Sequence, residues 1–125
     1  MTDEIRNTKN RLARSIEGKT KMIKSEIQKL IYQYQTIGVM EAGELLLRPE
    51  DALQFVYELE KIGVELLGVD LWYQLGDSIV QDLSSMDLSS YAMNKENRLH
   101  EKTLAVERLI KHIPDNIVYL SFVWK

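Results

Sequence analysis

The 125-residue chain contains no cysteine and only two prolines, two histidines and two phenylalanines. Without cysteine it cannot carry a disulfide bond, a thiol nucleophile or a cysteine-ligated zinc ion. No apolar run approaches the roughly 18 residues that a transmembrane helix needs. The polar first residues, which include Asp3 and Glu4, do not resemble the apolar centre of a signal peptide. These absences predict a cytoplasmic protein that is stabilised by an ordinary hydrophobic core.

Motifs of common catalytic and cofactor sites are also missing. The sequence has no P-loop, no Gly-x-Gly-x-x-Gly motif and no Gly-x-Ser-x-Gly motif around a serine. His100 and His112 lie on one predicted helix about 18 Å apart along its axis, too far to share a metal ion within a chain. Asp70 and Asp77 could meet across a hairpin as an acid–base pair, but so many acidic residues nearby make some close pair expected by chance. We therefore expect no enzymatic activity, no metal and no cofactor.

Charge is strongly segregated along the chain, although the formal net charge is only −3. Residues 1–29 carry eight Lys and Arg residues against four acidic residues. Residues 41–87 carry eleven acidic residues against only Arg48 and Lys61. Such asymmetry informs about binding partners more than about the fold.

The first third of the chain has the apolar spacing of an amphipathic helix. The stripe consists of Ile16, Ile23, Ile27, Leu30, Tyr34 and Ile37, which predicts a helix over residues 4–36 that stops near Gly38. We interpret residues 1–36 as a long basic helix and residues 37–125 as an α+β core domain. The basic charges alternate with acidic and polar residues and lack a nucleic-acid recognition motif, so nucleic-acid binding is not expected.

Two further helices are predicted in the core domain. Pro49 suits the first position of a helix, acidic residues follow it, and Gly63 suits the position after its last turn. A third helix is predicted over residues 91–112. Residues 39–48 are too short a segment for periodicity to separate a strand from a helical turn.

Three strands complete the predicted domain. The best strand covers residues 64–73, with a shift of its inward phase at Leu67-Gly68 that indicates a β-bulge. A turn at Gly76-Asp77 leads into a short strand over 78–83, and the last strand, 117–124, is apolar enough to lie inside the sheet. The predicted fold is α+β, with a small, mostly antiparallel sheet backed by helices and a long N-terminal helix. The repeated Asp-Leu-Ser-Ser at 82–85 and 87–90 is expected to form turns or helix caps.

An acidic cluster around this hairpin is the most informative candidate site. Its carboxylates are Glu65, Asp70, Asp77, Asp82 and Asp87, and Trp72 is predicted on the same outward face as Glu65 and Asp70. An aromatic residue among acidic residues is typical of a protein-binding hot spot with an electrostatic rim. The alternatives are a solubilising surface for the acidic residues and burial under the N-terminal helix for the tryptophan.

Three short segments in and after the second helix form a familiar combination: DALQF at 51–55, LEKIGV at 59–64 and LGVDLW at 67–72. The combination resembles the small bacterial immunity proteins that accompany polymorphic and contact-dependent toxins. The similarity covers residues 49–75 well and 98–124 loosely. It implies a cytosolic, non-enzymatic antidote that binds one cognate toxin domain and blocks its active site. Nuclease toxins are usually basic, so an acidic face that mimics nucleic acid would suit this role.

A second hypothesis belongs to another class of protein. The N-terminal stripe has a spacing near 3.5 residues, which is typical of helix pairing. It predicts a structural or regulatory module that forms a homodimer through residues 4–36.

Overall fold

The computed structural model describes residues 23–125, whose helices and strands confirm the α+β class. Residues 23–35 form helix α1, so residues 4–22 of the predicted N-terminal helix lie outside the described part, and its full length stays a prediction. The elements that follow are β1 (Val39–Glu41), β2 (Glu44–Leu46), α2 (Pro49–Ile62), β3 (Leu66–Leu75), β4 (Ser78–Gln81), β5 (Met86–Asp87), α3 (Arg98–His112) and β6 (Ile117–Trp124).

The strands form an antiparallel arrangement centred on β3 and β6. These two strands pair from Leu66 opposite Trp124 to Tyr73 opposite Ile117. Both β4 and β5 pair with the other edge of β3, and β1 pairs with β2 in a hairpin. A single bridge between Leu47 and Leu120 joins this hairpin to the second edge of β6. The prediction that β6 lies inside the sheet is therefore confirmed only at Leu120, because beyond this bridge β6 pairs with β3 alone among the described residues.

The predicted β-bulge in β3 is present. The pairing of β3 with β6 shifts register between Leu66 and Gly68, so the side chains on either side of the shift change their inward phase. A Cβ atom at Gly68 would lie 3.2 Å from the carbonyl oxygen of Met86. Glycine thus allows β5 to approach β3 closely at this point.

Helix α2 begins and ends where the sequence predicts. Pro49 occupies its first turn with Glu50 and Asp51, which favour the positive end of the helix dipole. Gly63 adopts the left-handed conformation with φ of 94°, and its amide donates to the carbonyls of Leu59 and Glu60. This C-terminal cap directs the chain into β3.

The undecided residues 39–48 form the β1–β2 hairpin. Ala42 and Gly43 have φ values of 50° and 81°, and two successive positive φ angles match the twist of a two-residue hairpin turn. Before the hairpin, a Cβ atom at Gly38 would lie 2.7 Å from the carbonyl oxygen of Leu46. Only glycine fits there without displacing the strand.

Helix α3 is shorter than predicted, because it starts at Arg98 rather than at residue 91. Residues 91–97 form turns instead. Ala92 has a φ of 55°, a left-handed conformation that a right-handed helix cannot contain. The chain therefore changes direction before the helix begins.

The core lies between one face of the sheet and the three helices. Phe55 is its aromatic centre at 1% exposure, with ring centroids of Tyr34, Phe122 and Trp124 at 5.1, 5.9 and 6.1 Å. Ile27 and Leu30 of α1 belong to the same buried cluster. The apolar side chains of residues 23–35 thus pack against the core of their own chain.

Candidate interaction surface

The two faces of the sheet have different surroundings. On one, the covered face, Val69, Leu71 and Leu120 pack with apolar side chains of α1, α2 and α3. Strand register and alternation place a second set of residues on the opposite, open face: Asp70, Trp72, Gln74, Ile79, Gln81, Asp87, Tyr119, Ser121 and Val123. Within residues 23–125, all three helices pack on the covered face. The open face is therefore the candidate site for a partner.

Trp72 lies on the open face, as predicted, but it is not an exposed binding residue. It is 7% exposed, and its indole N–H donates to the Ser121 hydroxyl at 2.9 Å. Trp72 is paired with Tyr119, whereas Ser121 lies two residues further along β6 and is paired with Asp70. The indole thus extends across to the next strand and satisfies its only donor there. Since the described part of α1 packs on the other face, burial beneath residues 23–35 is excluded as well.

Glu65 does not share the outward face with Asp70 and Trp72, so this part of the prediction is wrong. Its carboxylate accepts from Lys102 at 3.0 Å and from Arg98 at 3.2 Å, both on α3. The hydrogen bond from Lys102, opposed in part by burial, holds the pKa of Glu65 below its usual value. Glu65 therefore fastens α3 to the start of β3.

Asp82 and Asp87 each form the same local turn, which confirms turn chemistry for the repeated Asp-Leu-Ser-Ser. Each carboxylate accepts from the backbone N–H and from the hydroxyl of the serine two residues later, Ser84 and Ser89 respectively. These bonds, the hydroxyl bond first, lower the pKa of both carboxyl groups. Both side chains therefore stay ionised further into acid than ordinary aspartates.

Asp70 and Asp77 lie far apart, contrary to the suggestion of an acid–base pair. Asp70 is half-buried in the middle of β3, whereas Asp77 is exposed in the turn beyond the end of the strand. Five residues of extended strand separate Asp70 from Leu75, on the order of 17 Å. The two carboxylates cannot act on one substrate atom.

The ion pairs of the described residues all lie on the helical side of the molecule. They join Lys29 to Glu26, Lys61 to Glu58, Lys111 to Glu107, and both Arg98 and Lys102 to Glu65. On the same side, His100 Nδ1 and the Glu60 carboxylate are hydrogen-bonded at 2.8 Å. Within residues 23–125, no ion pair includes Asp70, Asp77, Asp82 or Asp87. These four carboxylates thus lack a direct ion-pair partner in this part of the chain, although Lys102 acts on Asp87 from a longer distance.

Two residues that sequence reasoning missed contribute to the surface and its support. Tyr119 is half-buried on the open face, opposite Trp72. Sequence alternation did not indicate it, because Ser121 interrupts the apolar residues on this face of β6. Lys102 is 1% exposed and donates to the Leu66 carbonyl oxygen at 2.9 Å as well as to Glu65. Only its position among apolar helical residues could have indicated burial.

Residues 23–125 contain no cluster of three side chains suited to hold a metal ion. Over the same range, no helix has the length and apolar character required to cross a membrane. Comparison of the chain with models of protein families, with curated proteins and with solved structures finds no match.

Proposed function

We propose that this chain is an immunity protein that binds a basic toxin domain through the open face of its sheet. The observation that carries the proposal is the contrast in charge between the two faces. Asp70 and Asp87 lie on the open face, and Asp77 and Asp82 lie in turns at its border, without ion-pair partners among residues 23–125. The family resemblance supports an antidote as the kind of protein that would use such a surface.

The hydrogen bonds within the acidic turns support a role in attraction of a partner. The backbone N–H groups of Ser84 and Ser89 donate to the carboxylates of Asp82 and Asp87 and so orient these charges. Fixed charges of one sign accelerate the approach of an oppositely charged protein. We expect these residues to raise the association rate more than they slow dissociation.

Tyr119 replaces Trp72 as the aromatic contact in this proposal. Tyr119 is half-buried, and a depression of about 230 Å³ lies beside it, bordered by Arg48 and Gln74. A ring that keeps part of its surface exposed can be covered by a partner, whereas a 7% exposed indole has little left to bury. Truncation of Tyr119 should therefore leave the association rate unchanged and raise the dissociation rate, which weakens binding.

The test uses capture of a partner by the full chain, followed by a toxicity assay. The proposal expects one partner that inhibits growth when expressed alone and is neutralised by coexpression of this chain. With that partner, Asp70→Asn plus Asp87→Asn should reduce the association rate about tenfold at low salt and less at high salt. Tyr119→Ala should raise the dissociation rate by roughly tenfold or more.

Glu26→Gln is a matched control, because it removes one negative charge from α1 on the other side of the molecule. Its association rate should equal that of the wild type. A captured partner without toxicity would contradict the antidote role. Unchanged kinetics in both open-face variants would contradict the choice of surface.

Self-association through residues 4–36 remains the second hypothesis. The described part of that segment, residues 23–36, packs Ile27 and Leu30 within its own chain, which leaves Tyr32, 75% exposed, on the outer side. Sedimentation of the full chain and of a chain lacking residues 1–22 tests the idea. Equal monomeric masses would remove it.

A further inference from the structure

One edge of β6 is paired only as far as Leu120, which is halfway along the strand. The amide of Leu47 donates to the Leu120 carbonyl at 2.9 Å, and the Leu120 amide donates to the Leu47 carbonyl at 2.7 Å. This exchange is the only bridge between β6 and the segment that includes β2 within residues 23–125. From Leu47 back towards the hairpin turn, β2 makes no further bridge to β6, and its pairing with β1 uses its other edge.

The direction of the remaining peptide groups follows from antiparallel geometry. Successive residues of a strand direct their N–H and C=O groups to opposite edges. Because Leu120 bonds towards Leu47, the groups of Phe122 and Trp124 point to the same edge. Ser121 and Val123 point towards β3, and the amide of Lys125 continues that pattern by donating to Glu65 at 2.9 Å. Phe122 and Trp124 thus present a strand edge without a partner strand among the described residues.

A cleft of about 190 Å³ lies against this edge. Its apolar walls are formed by Ile31, Met40, Leu45, Phe55, Phe122 and Trp124. Glu44, in the hairpin, contributes the one charged side chain among the described residues that line it. The cleft therefore combines main-chain hydrogen-bonding groups with room for an apolar side chain.

The hairpin beside the cleft contains an unfavourable pair of charges. Glu41 and Glu44 are directly opposite each other in the β1–β2 pairing, and both are exposed. Like charges at such positions repel, and neither residue has an ion pair within residues 23–125. A cation placed next to them would relieve this repulsion.

We propose that the cleft binds an extended segment of a partner protein in which apolar and basic residues alternate, added as a strand to Phe122 and Trp124 of β6. Only an extended backbone reaches both peptide groups, which are two residues apart. Strand alternation places the apolar side chains towards Leu45 and the basic side chains towards Glu44. The proposal does not depend on the open face or on the antidote role.

Hydrogen exchange of the labelled full chain tests the free edge first. The amides of Phe122 and Trp124 should exchange at least about tenfold faster than those of Ser121 and Val123. Added capped peptide Leu-Lys-Leu-Lys-Leu should slow both fast amides by at least about tenfold. Protection of Phe122 and Trp124 without peptide, or no gain in protection at millimolar peptide, would overturn the proposal.

Two controls separate strand addition from general attraction. The same peptide with its β6-facing amides N-methylated keeps its side chains but cannot form the ladder, and it should bind at least about tenfold more weakly. Glu44→Lys should weaken binding of the parent peptide about fivefold through its charge. Asp115→Lys makes the same change of charge in the exposed turn before β6 and should leave binding unchanged. Equal affinity of the methylated peptide would show that no strand is added.

Discussion

The covered and open faces of one sheet differ in what their polar groups do. On the covered side, Lys102 is buried with its ammonium group bonded to Glu65 and to the Leu66 carbonyl. On the open side, the carboxylates of Asp70 and Asp87 have no ion pair within residues 23–125. Charge on the covered side thus stabilises the fold, whereas the carboxylates on the open side are the ones that we propose to meet a partner. The same pleated strands serve both uses because their side chains alternate between the faces.

Removal of Lys102 should have the largest effect in this comparison. Lys102→Met leaves the Glu65 carboxylate half-buried with only Arg98, and deprives the Leu66 carbonyl of a donor. Because loss of one partner from a buried ion pair is strongly destabilising, and Glu65 retains Arg98, we expect a loss of about 2–4 kcal/mol in urea unfolding.

Lys111→Met is the matched control on the same helix. Its side chain is 65% exposed and pairs with Glu107 at 3.4 Å, so its removal should cost less than about 0.5 kcal/mol. Similar unfolding free energies for the two variants would show that burial of Lys102 does not matter.

Acid should weaken the covered side through Glu65. Its pKa in the folded chain lies below the usual 4.5 because Lys102 and Arg98 bond to the carboxylate. The associated stability is therefore complete above about pH 4.5 and is lost as the pH falls through the lowered pKa of the folded state. Glu65→Gln lacks this contribution, so its unfolding free energy should depend less on pH over that window. Parallel pH curves for both proteins would contradict this linkage.

The tryptophan of the open face should have a smaller effect on stability. Trp72→Phe keeps an aromatic ring but removes the indole donor to Ser121. We expect a loss of about 1–2 kcal/mol in urea unfolding, typical of a buried hydrogen bond that leaves its acceptor unpaired. Ser121→Ala removes the same bond from the other side, and the double variant should lose less than the sum of both. Fully additive losses would show that the two residues are not coupled.

The smallest effect is expected in the acidic turn of Asp87. Ser89→Ala removes the hydroxyl that contributes most to the lowered pKa of this carboxyl group. The pKa of Asp87 should rise towards its usual value in an NMR titration, with stability unchanged. Ser90→Ala, the exposed neighbour, should leave the titration unaltered. If the pKa of Asp87 in Ser89→Ala equals that of the wild type, the hydroxyl is not the cause of the lowered pKa.

The parts of the fold that sequence predicted well depend on local rules. Pro49 and Gly63 bound α2 because a helix start and a left-handed cap each require a particular backbone chemistry. Gly68 marked the bulge because a Cβ atom there would lie close to the Met86 carbonyl oxygen. The hairpin in residues 39–48 was left undecided, and the start of α3 was placed too early. Both depend on a left-handed alanine, Ala42 and Ala92 respectively, and the presence of alanine in a sequence does not predict that conformation.

The sequence predicted that Asp70 and Trp72 share a face of the sheet, but it did not predict the contacts of the proposed site residues. Alternation correctly placed Asp70 and Trp72 on one face, yet the exposure of that face depends on neighbours from another strand. Ser121, 49 residues away from Trp72, accepts the indole N–H, and α3 withdraws Glu65 from the surface. Such long-range partners leave no periodic signal in the sequence.

The sequence alone determined the α+β class, the bounds of α2, the bulge in β3 and the segregation of charge, because each depends on residues that are close along the chain. The tertiary structure decided which carboxylates are paired, where Trp72 places its donor and where β6 lacks a neighbour. Those outcomes depend on which side chains meet across strands and helices. Pairing, burial and strand edges are therefore properties of the assembled sheet, whose strands come together from distant parts of the chain.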